Sequence, residues 1–255
     1  MMWNIGVIAI NTFRENLRDK ILYNLLFFAL ALISASLLLA HMTFVEQHRI
    51  ITDMGLAAIN AIGVLIGIFV GIGLVSREIE RRTIYTIMAR PLKRWEFILG
   101  KYAGLALTLS INILIMLVVY LATLVVSGAT LYLSLFQAVG LIFVEVLLVT
   151  AIAMFFSTFT SSTLSAIMTI GCYVIGHLTS DLRGVAVKTQ NEAVKGLMNA
   201  LYYLCPNLDL LNIKGQAASG VGVSISYEML AAGYGLLYAA ALIVGACVIF
   251  ERRDF

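Results

Sequence analysis

Charge is what this chain has least of. Asp, Glu, Lys and Arg make up 12% of its 255 residues, against 61% hydrophobic residues, where a soluble domain carries about 25% charged and about 45–50% apolar. The mean hydropathy is +0.98. So little charge excludes a soluble enzyme, and so much apolar surface excludes a disordered chain. Proline is nearly missing: Pro91 and Pro206 are the two in the chain, so helices run long and each proline marks a break. The three cysteines, Cys172, Cys205 and Cys247, are odd in number and far apart, which gives no readable disulfide framework or zinc site. What remains is an all-α polytopic membrane protein, one transmembrane domain over residues 1–255.

Lipid offers free backbone groups no partner, so a span is an apolar helix of about 20 residues. Six stretches qualify: 21–40, 55–75, 98–126, 134–156, 164–179 and 229–250. The fourth and fifth are separated by a hydroxyl cluster at 157–163; one span over 134–179 would be twice too long, so the cluster is expected to turn tightly. The net charge of +3 matters less than its placement. Twelve of the 17 Lys and Arg fall on the side that holds both termini and the connection between spans two and three. Both termini are therefore expected in the cytoplasm, with the chain multi-pass in the cell (inner) membrane. The first stretch is full length and has no convincing Ala-x-Ala exit, so it is expected to stay as a helix.

Three segments are neither spans nor ordinary loops. In residues 2–20, Trp3, Val7, Ile10, Phe13, Leu17 and Ile21 recur at three- and four-residue steps, with Asn4, Asn11, Arg14, Glu15, Arg18 and Asp19 between them. That pattern predicts an amphipathic helix lying in the interface with Trp3 at headgroup depth. In the segment 76–97, Glu78 and Arg82 form an i,i+4 pair that supports a short helix. Ile79, Ile84, Ile87 and Met88 give it an apolar side, and Pro91 ends it. An apolar stripe on a polar-side helix wants a partner. The third segment, 180–228, is 49 residues long, too long for a structureless loop in a compact protein. Its 13 apolar residues at 193–205 stop at Pro206 and predict a helix that dips partway into the membrane, a re-entrant segment; a peripheral helix lying flat is the alternative.

Chemistry is sparse. A P-loop needs Gly-x4-Gly-Lys-Ser/Thr; here Gly100-Lys101 is followed by Tyr102, and Trp95 stands where the first glycine belongs. The chain is not expected to hydrolyse ATP, nor to be an enzyme. Glu145, midway along the fourth span, is the one intramembrane acid; a charge there costs about 2.5–3.5 kcal/mol, so it is protonated, paired or wetted. No span is read as offering it a basic partner. His177 sits near the outer end of the fifth span, with no Gly-x-Ser-Gly element to suggest an intramembrane serine protease. His41, Met42 and His48 are weak metal-ligand candidates whose spacing matches no specific site. Gly63, Gly67 and Gly71 form a small-residue ridge, suited to packing within the chain or to dimer contact. Nothing points to nucleic acid.

Together these pieces resemble the permease subunits of ABC type-2 transporters. The most specific part is Glu78-Ile79-Glu80-Arg81-Arg82-Thr83-Ile84, leading to Arg90-Pro91-Leu92-Lys93-Arg94-Trp95-Glu96 and Gly100-Lys101. It is similar to the family's acidic, Thr-hydrophobic, Pro-Arg-Glu, Gly-Lys pattern, with Arg82 where the family usually has glycine. The closing Phe250-Glu251-Arg252-Arg253-Asp254-Phe255 resembles the branch related to the nitrous-oxide-reductase (multi-copper enzyme) maturation permease. The resemblance implies an exporter working by alternating access, paired with a second permease copy as a homodimer in the lipid bilayer. It also implies a separate P-loop ATPase subunit that holds ATP and Mg. Arg77, Glu78, Ile79, Arg81, Arg82, Ile84, Ile87 and Met88 would form the ATPase-coupling surface, with no cofactor in this chain. A secondary transporter and a membrane-embedded assembly scaffold are the alternatives.

Overall fold

The computed structural model describes residues 2–41, 47–80, 93–179, 181, 184 and 191–252. Its helices, in chain order, are α1 (Met2–Asn16), α2 (Lys20–His41), α3 (Gln47–Glu80), α4 (Arg94–Val126), α5 (Leu133–Ser157), α6 (Ser162–His177), α7 (Glu192–Leu204), α8 (Lys214–Ala218) and α9 (Ile225–Arg252), with a 3-10 turn at Asp209–Leu211. Among the described residues, five helices (α2, α3, α4, α5 and α9) are long and apolar enough to cross a membrane. The remaining one of the six expected spans, the fifth, is α6, which has 16 residues. At 1.5 Å per residue that is about 24 Å, short of the roughly 30 Å hydrocarbon core.

The bundle is built around α3 and α5. Both have 78% of their apolar window buried within the chain, against 22–39% for the other long helices, so those others present most of their apolar surface outward. The ridge on α3 faces α5 of the same chain: a Cβ on Gly63 would lie 3.1 Å from Val146 Cγ2, on Gly67 2.5 Å from Thr150 Oγ1, and on Gly71 3.5 Å from Thr150 Cγ2. The Thr150 hydroxyl donates to Val146 O at 2.7 Å, which fixes its rotamer and leaves no room to yield. We expect Gly67→Leu to lower stability by about 1–3 kcal/mol through overpacking, while Gly171→Ala, with nothing within 4 Å of its Cβ position, stays neutral. Thermal unfolding in detergent compares the two.

The expected turn after the fourth span is present: α5 ends at Ser157, α6 begins at Ser162, and the Ser157, Thr158 and Thr160 hydroxyls donate back to Met154 O, Phe155 O and Phe156 O. Those bonds satisfy the loose carbonyls of the helix end. At the other end α4 stops at Gly128 (φ 71), where Ala129 N donates to Leu124 O at 3.0 Å; a left-handed glycine closes the helix this way at little steric cost.

α1 docks on α4, by a face other than the predicted stripe. Val7 and Ile10 are both 52% exposed, whereas Ala9, Thr12 and Asn16 are buried. The reason lies on α4: Cβ atoms on Gly100 and Gly104 would meet Ile8 Cγ2 at 2.6 Å and Ala9 O at 2.5 Å. A glycine groove lets a facing helix approach closely, so Ile8, Ala9 and Thr12 turn into it and Val7 and Ile10 are left outward. In the third segment the buried residues also lie beyond the predicted place. No described residue of α7 is buried, whereas Cys205, Leu208, Leu211, Ile213 and Ala217, after the helix, are.

Candidate functional site

The helices α3, α5 and α6 bring four polar side chains together in the half of the bundle away from α1. Glu145 on α5 is 0% exposed and Asn60 on α3 is 1% exposed. Glu145 Oε1 lies 2.9 Å from His177 Nε2, and its Oε2 accepts a bond from Asn60 Nδ2 at 2.9 Å. The Tyr173 hydroxyl donates to Asn60 Oδ1 at 3.3 Å. Tyr173 and His177 are one turn apart on α6, so they share a face, and their rings meet edge-on at 4.7 Å.

This corrects the expectation that Glu145 has no basic partner in any span: His177 is that partner. The physical reason is the length of α6. A full-length span would carry His177 to the outer surface, but a helix of 16 residues that starts at the far end of the bundle stops at the depth of Glu145. The segment after Pro206 fills the space above it, with Leu208 N donating to Gly176 O at 3.0 Å. From that segment, α8 packs on α3 and α5 and carries Lys214. Burial lowers the Lys214 ammonium below its ordinary value, while the nearby charges of Glu145 and Asp53 pull it back up. Two basic side chains from different elements therefore bear on one buried carboxylate. Chemically, the cluster can hold or pass one proton between Oε1 and Nε2 and can tie three helices together. It contains no nucleophile.

At the opposite end, α3 continues without a break through Ser76 to Glu80. Arg77, Glu78 and Ile79 thus sit on the last turn of a 34-residue helix instead of opening a separate short one. Arg81, Arg82, Ile84, Ile87, Met88 and Pro91 lie outside the described residues. The chain returns at Lys93, whose N–H donates to Glu96 Oε2 at 3.4 Å. Arg94 Nη1 donates to the carbonyls of Phe250 at 3.4 Å and Glu251 at 3.2 Å, placing a cation on the negative end of α9. Lys101 Nζ lies 3.2 Å from Glu15 Oε2, and Asn16 Nδ2 donates to Thr108 Oγ1 at 3.1 Å. These bonds tie α1, α4 and α9 together around the start of α4. A cavity of about 350 Å³ opens beside it, lined by Glu15, Arg18, Asp19 and Lys20 together with Val70 and Leu74.

Among the described residues no group of three or more His, Cys, Asp or Glu is placed to hold a metal. Of the weak candidates, His48 is exposed, His41 ends α2, and Met42 lies outside the described residues. Asn60, Tyr173, His177 and Lys214 were not among the predicted site residues. Their sequence signals were an amide inside an apolar run and an aromatic–histidine pair at i,i+4.

Apolar helices around two buried central ones, with a further helix docked at one end, define a multi-pass membrane protein. Residues 7–255 match the family described as ABC-2 family transporter protein. The chain belongs to that family and is the membrane permease component of an ABC transporter, which implies a partnering ATP-binding subunit. No match to a curated protein accompanies this one.

Proposed function

We propose that the chain is one half of an ABC exporter, pairing with a second copy and driven by a separate P-loop ATPase that carries ATP and Mg. Both termini lie in the cytoplasm of a cell whose inner membrane holds the bundle, so the α1 end is the cytoplasmic one. Each ATPase subunit docks on the segment that begins at Arg77, Glu78 and Ile79 and continues through Arg81, Arg82, Ile84, Ile87 and Met88. The observation that carries this reading is the single rod of α3. Its 34 residues span about 51 Å, longer than the roughly 30 Å hydrocarbon core, and run from the docking end past Asn60 to the far side. A push at Glu80 reaches the Asn60–Glu145–His177 cluster through a continuous helix about 30 Å long. Rocking α3 against α5 and α6 then alternates access. The 250–255 tail supports placing the chain in the branch related to multi-copper enzyme maturation permeases.

The Glu145–His177 pair favours a second reading of how this permease is driven, by coupling to a proton, because intramembrane ionisable pairs mark proton relays. Pull-down separates the two. Tagged permease co-expressed with a candidate P-loop ATPase subunit is expected to retain that subunit and its ATP hydrolysis. Proton-gradient-driven uptake by the permease alone would favour the second reading.

A further inference from the structure

Two of the three cysteines meet. Cys172 lies in α6 and Cys205 directly follows α7; 33 residues apart in sequence, their Sγ atoms are 4.0 Å apart. Both are free thiols. A disulfide has an S–S length of about 2.05 Å, so closure needs the sulfurs to approach by about 2 Å, within the reach of side-chain rotation. The backbone around them is already in register. Leu208 N donates to Gly176 O at 3.0 Å, and a Cβ on Gly176 would lie 2.7 Å from Pro206 O. On the other side the Tyr238 hydroxyl donates to Leu204 O at 3.2 Å, and Asn207 N donates to the Tyr234 hydroxyl at 2.9 Å. Contacts before and after Cys205 thus hold it in the seam between α6 and α9.

Reactivity agrees with position. The Cys172 sulfur beside it holds the Cys205 thiol below its ordinary range, against a smaller upward push from burial. The thiolate is the attacking species in exchange. The α7 helix leading to it has no buried described residue, which leaves a path for an oxidant. Cys247 takes no part: its Sγ contacts Trp95 O at 3.9 Å, at the other end of the bundle.

We propose that Cys172 and Cys205 are a disulfide-forming pair, a covalent staple that ties the segment after α7 to the outer half of α6. The oxidant is a small-molecule or protein disulfide. The Cys205 thiolate attacks one of its sulfurs and expels the first thiolate. Cys172 then loses its proton and attacks Cys205 Sγ in the mixed disulfide, expelling the second. Two electrons pass to the oxidant, and the two protons end on the released thiols. In the orientation proposed above, the pair faces the extracytoplasmic side, where such oxidants operate.

Intact-mass analysis of the full-length permease in detergent, after oxidised glutathione and then denaturing alkylation, tests this. Wild type and Cys247→Ser are expected to lose two hydrogens, retain no glutathione and yield a peptide joining positions 172 and 205. Cys172→Ser and Cys205→Ser should form no such link. The oxidised wild type should also melt at a higher temperature than the reduced, a difference absent from Cys205→Ser. Three alkylatable thiols after oxidation, a stable glutathione adduct on wild type, or a disulfide between two copies would overturn the proposal.

Discussion

Reversing Arg81 and Arg82 to Glu is expected to detach the ATPase subunit. The segment 76–97 carries the densest basic cluster in a chain that is only 12% charged, and the proposed docking places that cluster against the partner. Each reversal turns an attraction into a like-charge contact, and such juxtapositions cost several kcal/mol across an interface. At 1.4 kcal/mol per tenfold, affinity falls by at least about a hundredfold. Co-purification should be lost and transport-linked ATP hydrolysis should vanish, while the permease still folds and inserts, because the change lies outside the apolar stretches of the sequence. Replacing Ile84 and Ile87 with Asp should give the same loss by a different route, removing the apolar surface of the proposed docking stripe. Unchanged co-purification in both variants would remove the docking assignment and leave the family membership intact.

The second large effect is expected at Glu145. Both carboxylate oxygens are engaged, one with His177 at 2.9 Å and one with Asn60 at 2.9 Å, and Glu145 itself has no exposure. Glu145→Ala leaves His177 and Asn60 facing a cavity without their acceptor, and removing one member of a buried pair costs about 3–5 kcal/mol. Glu145→Gln keeps the volume and one acceptor. Its amide reaches the imidazole in the tautomer protonated on Nδ1, so the loss should be about 1–2 kcal/mol. A double change of Glu145 and His177 to Ala should cost less than the sum of the singles, by about 1–3 kcal/mol for groups in direct contact. Unfolding equilibria in mixed micelles read all three. Equal losses for Ala and Gln would show that the bonds contribute little and that volume alone matters.

Most of the architecture was legible because apolar run length is a strong signal in lipid. The hydroxyl turn, the breaks between spans and the ridge Gly63-Gly67-Gly71 all follow from local composition. The interior contacts were not legible, for three separate physical reasons. The docking face of α1 is set by the glycine groove at Gly100 and Gly104 on another helix, and a hydrophobic stripe read along α1 alone cannot see it. The partner of Glu145 depends on α6 stopping short, so that His177 ends at mid-depth; residue position along a span does not give depth when the span is truncated. Cys172 and Cys205 meet because the chain folds back after Pro206, and that reversal is visible only as a proline. Lys214 belongs to the same reversal, which is why a lysine in a polar-looking loop comes to bear on a buried carboxylate.

The central claim is that a separate ATPase moves this bundle between two states. The most direct test is the distance between spin labels at position 221, which is 60% exposed on the side away from α1, in two permease copies reconstituted with their ATPase in vesicles. The account predicts two distinct distance distributions, one without nucleotide and one with ATP and Mg trapped by a hydrolysis-deficient ATPase, with the shift abolished by Arg81→Glu and Arg82→Glu together. Superimposable distributions, from a complex that binds ATP and stays assembled, would contradict it.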